Sequence, residues 1–343
     1  MIKRIFLILL SNILLLIILF IGAGVATRFY INIWRGGFEY KPDKLLGWAP
    51  KKNYRITRMD KDLSGHEYKV QYSTNEHGFR AWGDLDGKPK ILFIGDSFTG
   101  DAYTSNSDAY FNIAGNHLDA EIFAIGGGGY GTLQEYLLLK KYAHIIEPDI
   151  FVLEFCSNDF SNNHMKMEEH FISRNQTLMR PYLTDEGIKF RENGTIYSYL
   201  LHNSSFFRDF DIIIQKFQNI LYDGYYKPED KKLIDGYFEE SIRTTDKIFK
   251  MIDNELPDDT LKLSFICSSE DEKEIDAWKT IAENNNFIPL ENVSLAVEKA
   301  ERDGKTVRYR DGGHWNILGN HIAGEQLAHD IKKIINNNKI EQN

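Results

Sequence analysis

Four short apolar runs of one design constrain this chain more than any other feature. Ile91-Leu-Phe-Ile94 ends at Gly95, and Glu121 to Ile125, Ile150 to Phe155 and Leu261 to Cys267 repeat the pattern. Apolar runs of this length, closed by glycine or polar residues, read as strands buried on both faces, as in a parallel sheet. Phe287 to Leu290 is a weaker fifth. Helical spacing separates them. Leu133, Tyr136, Leu137 and Lys140 share a face behind an N-cap candidate at Thr132, and Ile234, Tyr237, Thr245, Ile248 and Ile252 mark a longer helix. Ile275, Trp278, Ile281 and Ala282 mark the next, and Ile322, Leu327, Ile331 and Ile334 the last. Strands alternating with helices predict a three-layer α/β/α sandwich around a parallel sheet. Ligands then bind beyond the carboxyl ends of the strands.

Ahead of this pattern stands an apolar run of 22 residues, Ile5 to Ala26, behind Lys3 and Arg4. At about 1.5 Å per residue it spans a hydrocarbon core of about 30 Å. A cleavable signal has a shorter apolar core, about 7–15 residues, so the run reads as an uncut anchor, with Gly24-Val25-Ala26 the place a cut would fall. Lys3 and Arg4 favour a cytoplasmic N-terminus, while Arg28, Arg35, Lys41 and Lys44 on the other flank outnumber them. Large domains translocate largely regardless of loop charge, which makes the expected body extracytoplasmic, periplasmic or at the cell surface. Net charge is −9, from 41 basic and 50 acidic residues. That balance opposes a nucleic-acid partner, which needs a basic face. Two cysteines make neither a disulfide scaffold nor a thiolate metal cluster. Tyr68, Val70 and Tyr72 alternate with Lys69 and Gln71 as a half-buried strand does. Residues 161–230 lack periodicity and read as an inserted lid or subdomain.

The residues that carry chemistry follow the strands in order. Gly95-Asp96-Ser97-Phe98-Thr99 puts a hydroxyl at a strand-to-helix junction, where backbone N–H groups stabilise an anion. Gly126 to Gly129 lets the backbone approach a ligand, although alone it is a flexible turn. No Gly-Lys-Ser/Thr ending follows, and no Gly-x-Gly-x-x-Gly stands at the first strand, which argues against a nucleotide. Cys156-Ser157-Asn158-Asp159 offers a carboxamide donor, or by itself an Asn/Asp turn. Asp311-Gly-Gly-His314 sets a carboxylate and an imidazole within one turn, or by itself a histidine cap on the last helix. Together they supply a nucleophile (Ser97), a base (His314), an orienting carboxylate (Asp311) and three oxyanion donors: the Ser97 and Gly129 N–H groups and the Asn158 side chain.

Four blocks in this order resemble the SGNH (GDSL-like) hydrolases, named for the Ser, Gly, Asn and His matched here by Ser97, Gly129, Asn158 and His314, with Asp311 in the family's Asp-x-x-His. Leu46-Gly-Trp48 and Asn75-Glu-His-Gly78-Phe-Arg80 look like the lead-in of membrane-anchored bacterial members. The likeness covers about 45–335, apart from the insertion. It implies a flavodoxin-like sheet, no metal or other cofactor, and cleavage of carboxylic esters on a glycan or lipid through an acyl-enzyme. Ala124 stands where Asn is frequent, Ser157 where Gly is usual, and the run of four glycines admits a neighbour of Gly129 in its place. The chain then divides into an anchor (1–27), a juxtamembrane segment with short strands (28–87), the hydrolase domain (88–335) and a disordered tail (336–343). An O-acyltransferase would use the same triad, and a non-catalytic glycan-binding module is the alternative of another class. An α/β-hydrolase elbow would need Gly where Thr99 stands.

Cys156 and Cys267 end strands expected to be neighbours, yet parallel neighbours rarely suit a disulfide, so free thiols are expected. His164, His170 and His202 read as surface histidines. Trp315, Phe171, Tyr182, Phe206 and Phe207 read as packing rather than a sugar platform. Asn175, Asn193, Asn203 and Asn292 begin Asn-x-Ser/Thr triplets that so many asparagines produce by accident.

Overall fold

The computed structural model of the chain describes residues 2–34, 39–87, 89–169, 180–190, 200, 207, 231–268 and 271–341. Helix α1 (Ile2–Trp34) contains the stretch Lys3–Val25, of mean hydropathy 3.0, which is long and apolar enough to cross a membrane. Two antiparallel pairs follow, β1 (Tyr40–Asp43) with β2 (Gly47–Pro50), and β3 (Arg55–Lys61) with β4 (Glu67–Ser73). Along β4 the expected alternation holds: Tyr68, Val70 and Tyr72 turn inward and form a small core with Ile56, Ala102 and Tyr309.

The main sheet has six strands. In chain order they are β5 (Ala81–Trp82), β6 (Lys90–Gly95), β7 (Glu121–Gly126), β8 (Ile150–Phe155), then β11 (Leu261–Ile266) and β12 (Ile288–Pro289), beyond a hairpin of β9 (Pro181–Thr184) and β10 (Gly187–Phe190). Their spatial order is β12-β11-β8-β6-β7-β5. Counting only the five parallel strands, this is the 2-1-3-4-5 order of a flavodoxin-like sheet. Helices α2 (Ser97–Gly100), α3 (Tyr110–Leu118), α4 (Thr132–Ile146), α5 (Asn158–Asn162), α6 (Met165–Glu169), α7 (Lys231–Glu255), α8 (Glu272–Asn284), α9 (Asn292–Arg302) and α10 (Ile317–Glu341) complete the body.

Period-2 alternation sorts the strand residues between two cores. Leu92, Ile94, Phe123, Phe151 and Leu153 meet α4, α7 and α8 through Leu133, Leu137, Ile248, Ile252 and Trp278. Ile91, Phe93, Ala124, Val152 and Phe265 face the other way, onto Tyr110 and Phe111 of α3, Val297 of α9 and Leu327 of α10. Each Val, Leu, Ile or Phe among them, removed from water, contributes about 1.5–3 kcal/mol. Together these layers form the expected three-layer sandwich.

Several details depart from the sequence reading. The sheet is not wholly parallel: β5, from the segment before residue 88, pairs antiparallel with β7 at the edge. Helix α4 takes Gly131 as its N-cap, because the Thr132 hydroxyl donates to Asp159 instead (3.2 Å) and the Gln134 side chain accepts from the Gly131 N–H. Within 161–230, residues 181–190 form a hairpin. Tyr182 is buried there and donates to Glu168, while Phe171, Phe206, His170, His202, Asn175, Asn193 and Asn203 lie outside the described residues. At the C-terminus, where fraying from residue 336 is expected, α10 runs on to Glu341; no glycine or proline follows Gly324 to end it. His164 is not a plain surface group, since it packs on Tyr237 and pairs with Glu240 at 3.1 Å.

Cys156 and Cys267 are joined in a disulfide, against expectation. Both stand one residue past their strands, where the Cys267 N–H donates to the Phe155 carbonyl, and their Cα atoms are 5.2 Å apart, within disulfide range. The bond closes a loop across 111 positions. By the loop-entropy argument, reduction or Cys156→Ser lowers the stability of the fold by about 2–5 kcal/mol. The urea midpoint with and without reductant measures this, and coincident midpoints would contradict it.

Candidate active site

In-register pairing brings the ends of β6, β7 and β8 to one edge of the sheet, with Gly95 opposite Gly126 and Ile94 opposite Leu153. Asp96 caps α2, its Oδ1 accepting from the Phe98 N–H at 3.2 Å. Glu154, reaching across from β8, accepts from the Asp96 N–H, the Thr99 N–H and the Thr99 hydroxyl at 3.1, 3.0 and 2.6 Å. Those bonds consume the first donors of the helix except one, the N–H of Ser97. Burial, and then the Asp96 charge, push the Glu154 carboxyl well above the usual range. Close approach of α2 to the β7 end needs glycine: a Cβ on Gly100 would lie 2.5 Å from the Gly126 carbonyl carbon.

Ser97 and His314, 217 positions apart, meet at this edge, with Oγ to Nε2 at 2.8 Å. His314 Nδ1 lies 2.7 Å from Asp311 Oδ2. A carboxylate only accepts, so Nδ1 carries the proton and Nε2 is the acceptor facing the hydroxyl. Asp311 also accepts the Gly313 and His314 N–H groups at 3.0 and 3.1 Å, which stiffens the turn carrying both residues. Phe98 and Tyr103 flank the imidazole, with ring centroids 4.9 and 4.1 Å away. Trp315 lies beneath, buried against Phe98 and Phe265, so it packs and offers no sugar platform.

A pocket of about 760 Å³ opens here, lined by Ser97, Gly129, Asn158 and His314 among others. Asn158 begins α5, and its Nδ2 lies 3.3 Å from Asp96 Oδ2, which orients the carboxamide beside Ser97. Of the four glycines, Gly128 has its N–H committed to the Tyr40 hydroxyl (2.7 Å). Gly129 follows at φ +68°, a conformation that favours glycine. The disulfide also lines the pocket, next to Asn158. The arrangement can activate a hydroxyl nucleophile and receive an anion on N–H donors.

Sequence reasoning missed several supports. Glu154 had a signal, a carboxylate inside an otherwise apolar strand. Arg80, at the end of the recognised lead-in, is buried and donates to the carbonyls of Thr99, Asp101 and Thr104 at 2.8–3.1 Å, which ties down the loop behind Ser97. Tyr40, Asp101 and Tyr103 had no signal of their own, because each is defined by contacts distant in sequence.

No family model matches the chain, and no curated protein does. Solved structures similar to it include a psychrotrophic esterase from a Pseudoalteromonas species (11% identity, 73% of this chain, 100% of that one, TM-score 0.40). A lipase/acylhydrolase from Enterococcus faecalis is similar as well (12% identity, 72% of this chain, 96% of that one, TM-score 0.40). So is an acetyl xylan esterase from the rumen bacterium Butyrivibrio proteoclasticus (12% identity, 73% of this chain, 65% of that one, TM-score 0.38). Likeness of this extent carries no functional weight beside the geometry.

Burial opposes the charged imidazole of His314, but the hydrogen bond and charge of Asp311, then Asp101 and Asp96, outweigh it and raise its pKa above 6.5. Asp311 itself is penalised by burial, yet His314 and the turn N–H groups hold its carboxyl below the usual range. Titration of the ring by NMR is expected above pH 6.5 in the native chain and lower in Asp311→Asn; a ring titrating below 6.5 in the native chain would contradict the pairing.

Proposed function

We propose that this chain is a serine esterase of the SGNH (GDSL-like) type, deacylating an ester-bearing glycan or lipid. The observation that carries the reading is the hydrogen-bonded series Ser97–His314–Asp311 at the mouth of a pocket that Gly129 and Asn158 also line. In this reading Ser97 Oγ attacks the ester carbonyl carbon while its proton passes to His314 Nε2. The carbonyl oxygen becomes an anion held by the Ser97 and Gly129 N–H groups and the Asn158 carboxamide. Collapse expels the alcohol, which takes the proton from His314, and leaves the acyl group on Ser97. Water, deprotonated by the same imidazole, then releases the carboxylic acid. Asp311 holds the ring in the tautomer this sequence needs and stabilises the imidazolium.

The proposed setting is the outer face of a membrane, with α1 as the anchor. Two observations support it: the 23-residue apolar stretch, and a disulfide, which persists in oxidising compartments.

Ser97→Ala should abolish turnover of p-nitrophenyl acetate and labelling by a fluorophosphonate; native-like turnover in that variant would refute the assignment. Asn158→Ala should lose about 10²–10³ in kcat, the cost of one oxyanion donor, with protein folded as before.

A further inference from the structure

Two supports that reach the site from the lead-in segment, Tyr40 and Arg80, meet at one residue, Asp101. Its backbone N–H closes α2 by donating to the Ser97 carbonyl at 3.0 Å, and its own carbonyl is held by Arg80 at 2.8 Å. Its side chain accepts the hydroxyl of Tyr40, and its charge lies near the buried Tyr103 side chain. Each tyrosine then touches one half of the machinery. Tyr40 Oη accepts the Gly128 N–H at 2.7 Å, and Trp48 Nε1 donates to the Gly128 carbonyl at 3.1 Å. Gly128, the residue just before Gly129, is therefore held at its N–H and at its carbonyl by residues of the 39–50 segment. Gly128 has no room for a side chain, since a Cβ would lie 2.7 Å from Asp101 Oδ1. Tyr103 stacks on the His314 ring, with centroids 4.1 Å apart and planes 22° apart.

We infer that Tyr40 and Asp101 are positioning residues that hold the Gly128–Gly129 turn beside Ser97 and, through Tyr103, steady the face of His314. The catalytic unit then begins at Glu39–Tyr40, five residues behind the apolar helix, and not at residue 88. This rests on the esterase reading. Tyr40 is the residue through which the segment nearest the membrane completes the oxyanion hole. Its ring keeps the pocket wall, and its hydroxyl joins Asp101 to the turn. Tyr40→Phe is therefore a narrow lesion: it removes the acceptor from the Gly128 N–H without opening a cavity. A turn displaced by about 1 Å costs up to about 10²-fold in rate.

Around His314, Asp311 comes from its own turn, while Asp96, Asp101 and Tyr103 come from the segment after β6. Burial raises the Asp101 carboxyl, while the Tyr40 hydroxyl and the His314 charge favour its anion. All the titratable members of that set are acids, so removing the Asp101 carboxylate shifts the imidazole in one direction, toward a lower pKa.

The test uses the full chain in detergent, with rates on p-nitrophenyl acetate expressed per site titrated by fluorophosphonate, so that unfolded molecules do not count. Tyr40→Phe is expected to lower kcat about 10- to 100-fold with KM within twofold. Asp101→Asn is expected to lower kcat similarly and to move the acid limb of kcat/KM to lower pH, a shift that mere loss of packing would not produce. Native kcat per titrated site in Tyr40→Phe, or an unmoved acid limb in Asp101→Asn, overturns the inference. A native chain that neither labels nor turns over substrate overturns the esterase reading instead, so the two failures are distinguishable.

Discussion

The register of the parallel strands is the constraint on which the site depends. β6 is flanked by β7 on one side and β8 on the other, and the crossovers leave in opposite directions. Such a switch point opens a crevice beyond the strand ends. Ser97 stands directly over it, behind β6, with the glycine turn and Asn158 on either side. His314 arrives from the far end of the chain because α10 packs on α3, which itself follows β6. A one-residue slip of β6 would exchange the two cores, turning Leu92 and Ile94 toward the α3 face. Two dissimilar packed layers thus fix the position of Ser97 along the sheet edge.

Building the site at that edge required burying acids. Glu154 is buried and holds the first turn of α2; Asp159 is buried and accepts the Cys156 N–H at 2.7 Å and the Thr132 hydroxyl at 3.2 Å. Glu135 is buried behind them with neither oxygen hydrogen-bonded. Burial first, and then the charge of Asp96 on Glu154 and Asp159 and of Asp159 on Glu135, raise all three carboxyls well above their ordinary values. A group whose folded pKa is raised in this way favours the folded state only while protonated. The cluster therefore opposes folding increasingly as pH climbs past the unfolded carboxylate range. Glu154 gives a return on that cost, because it takes the Thr99 and Asp96 donors and leaves the Ser97 N–H to the pocket. Glu135 gives no return that the structure explains.

The frame and the meeting of Ser97, His314 and Asp311 were legible because each block is written locally. Apolar runs of strand length, helical periods and a polar block at each strand end can be read without knowing any partner. Asp311 and His314 are three residues apart, so their meeting follows from chain geometry. What was illegible is defined by long contacts. β5 is two residues long and makes sense only beside β7. Tyr40 is 88 positions from the Gly128 N–H it accepts, and nothing around Lys41-Pro42 announces that. The disulfide was misjudged for a related reason: the argument from parallel neighbours applies within strands, and both cysteines stand just outside them, where the backbone is freer.

The segment after α1 ties the position of the pocket to that of the apolar helix. Six Cα steps separate Trp34 from Tyr40, and a chain covers at most about 3.6 Å per step, so Tyr40 lies within about 22 Å of the helix end. Tyr40 is also a pocket-wall residue bonded to the glycine turn. The wall cannot withdraw from the helix further than that without breaking the Tyr40–Gly128 bond. In the proposed esterase reading, the ester is met at a pocket whose Tyr40 wall stays within that reach of the end of α1.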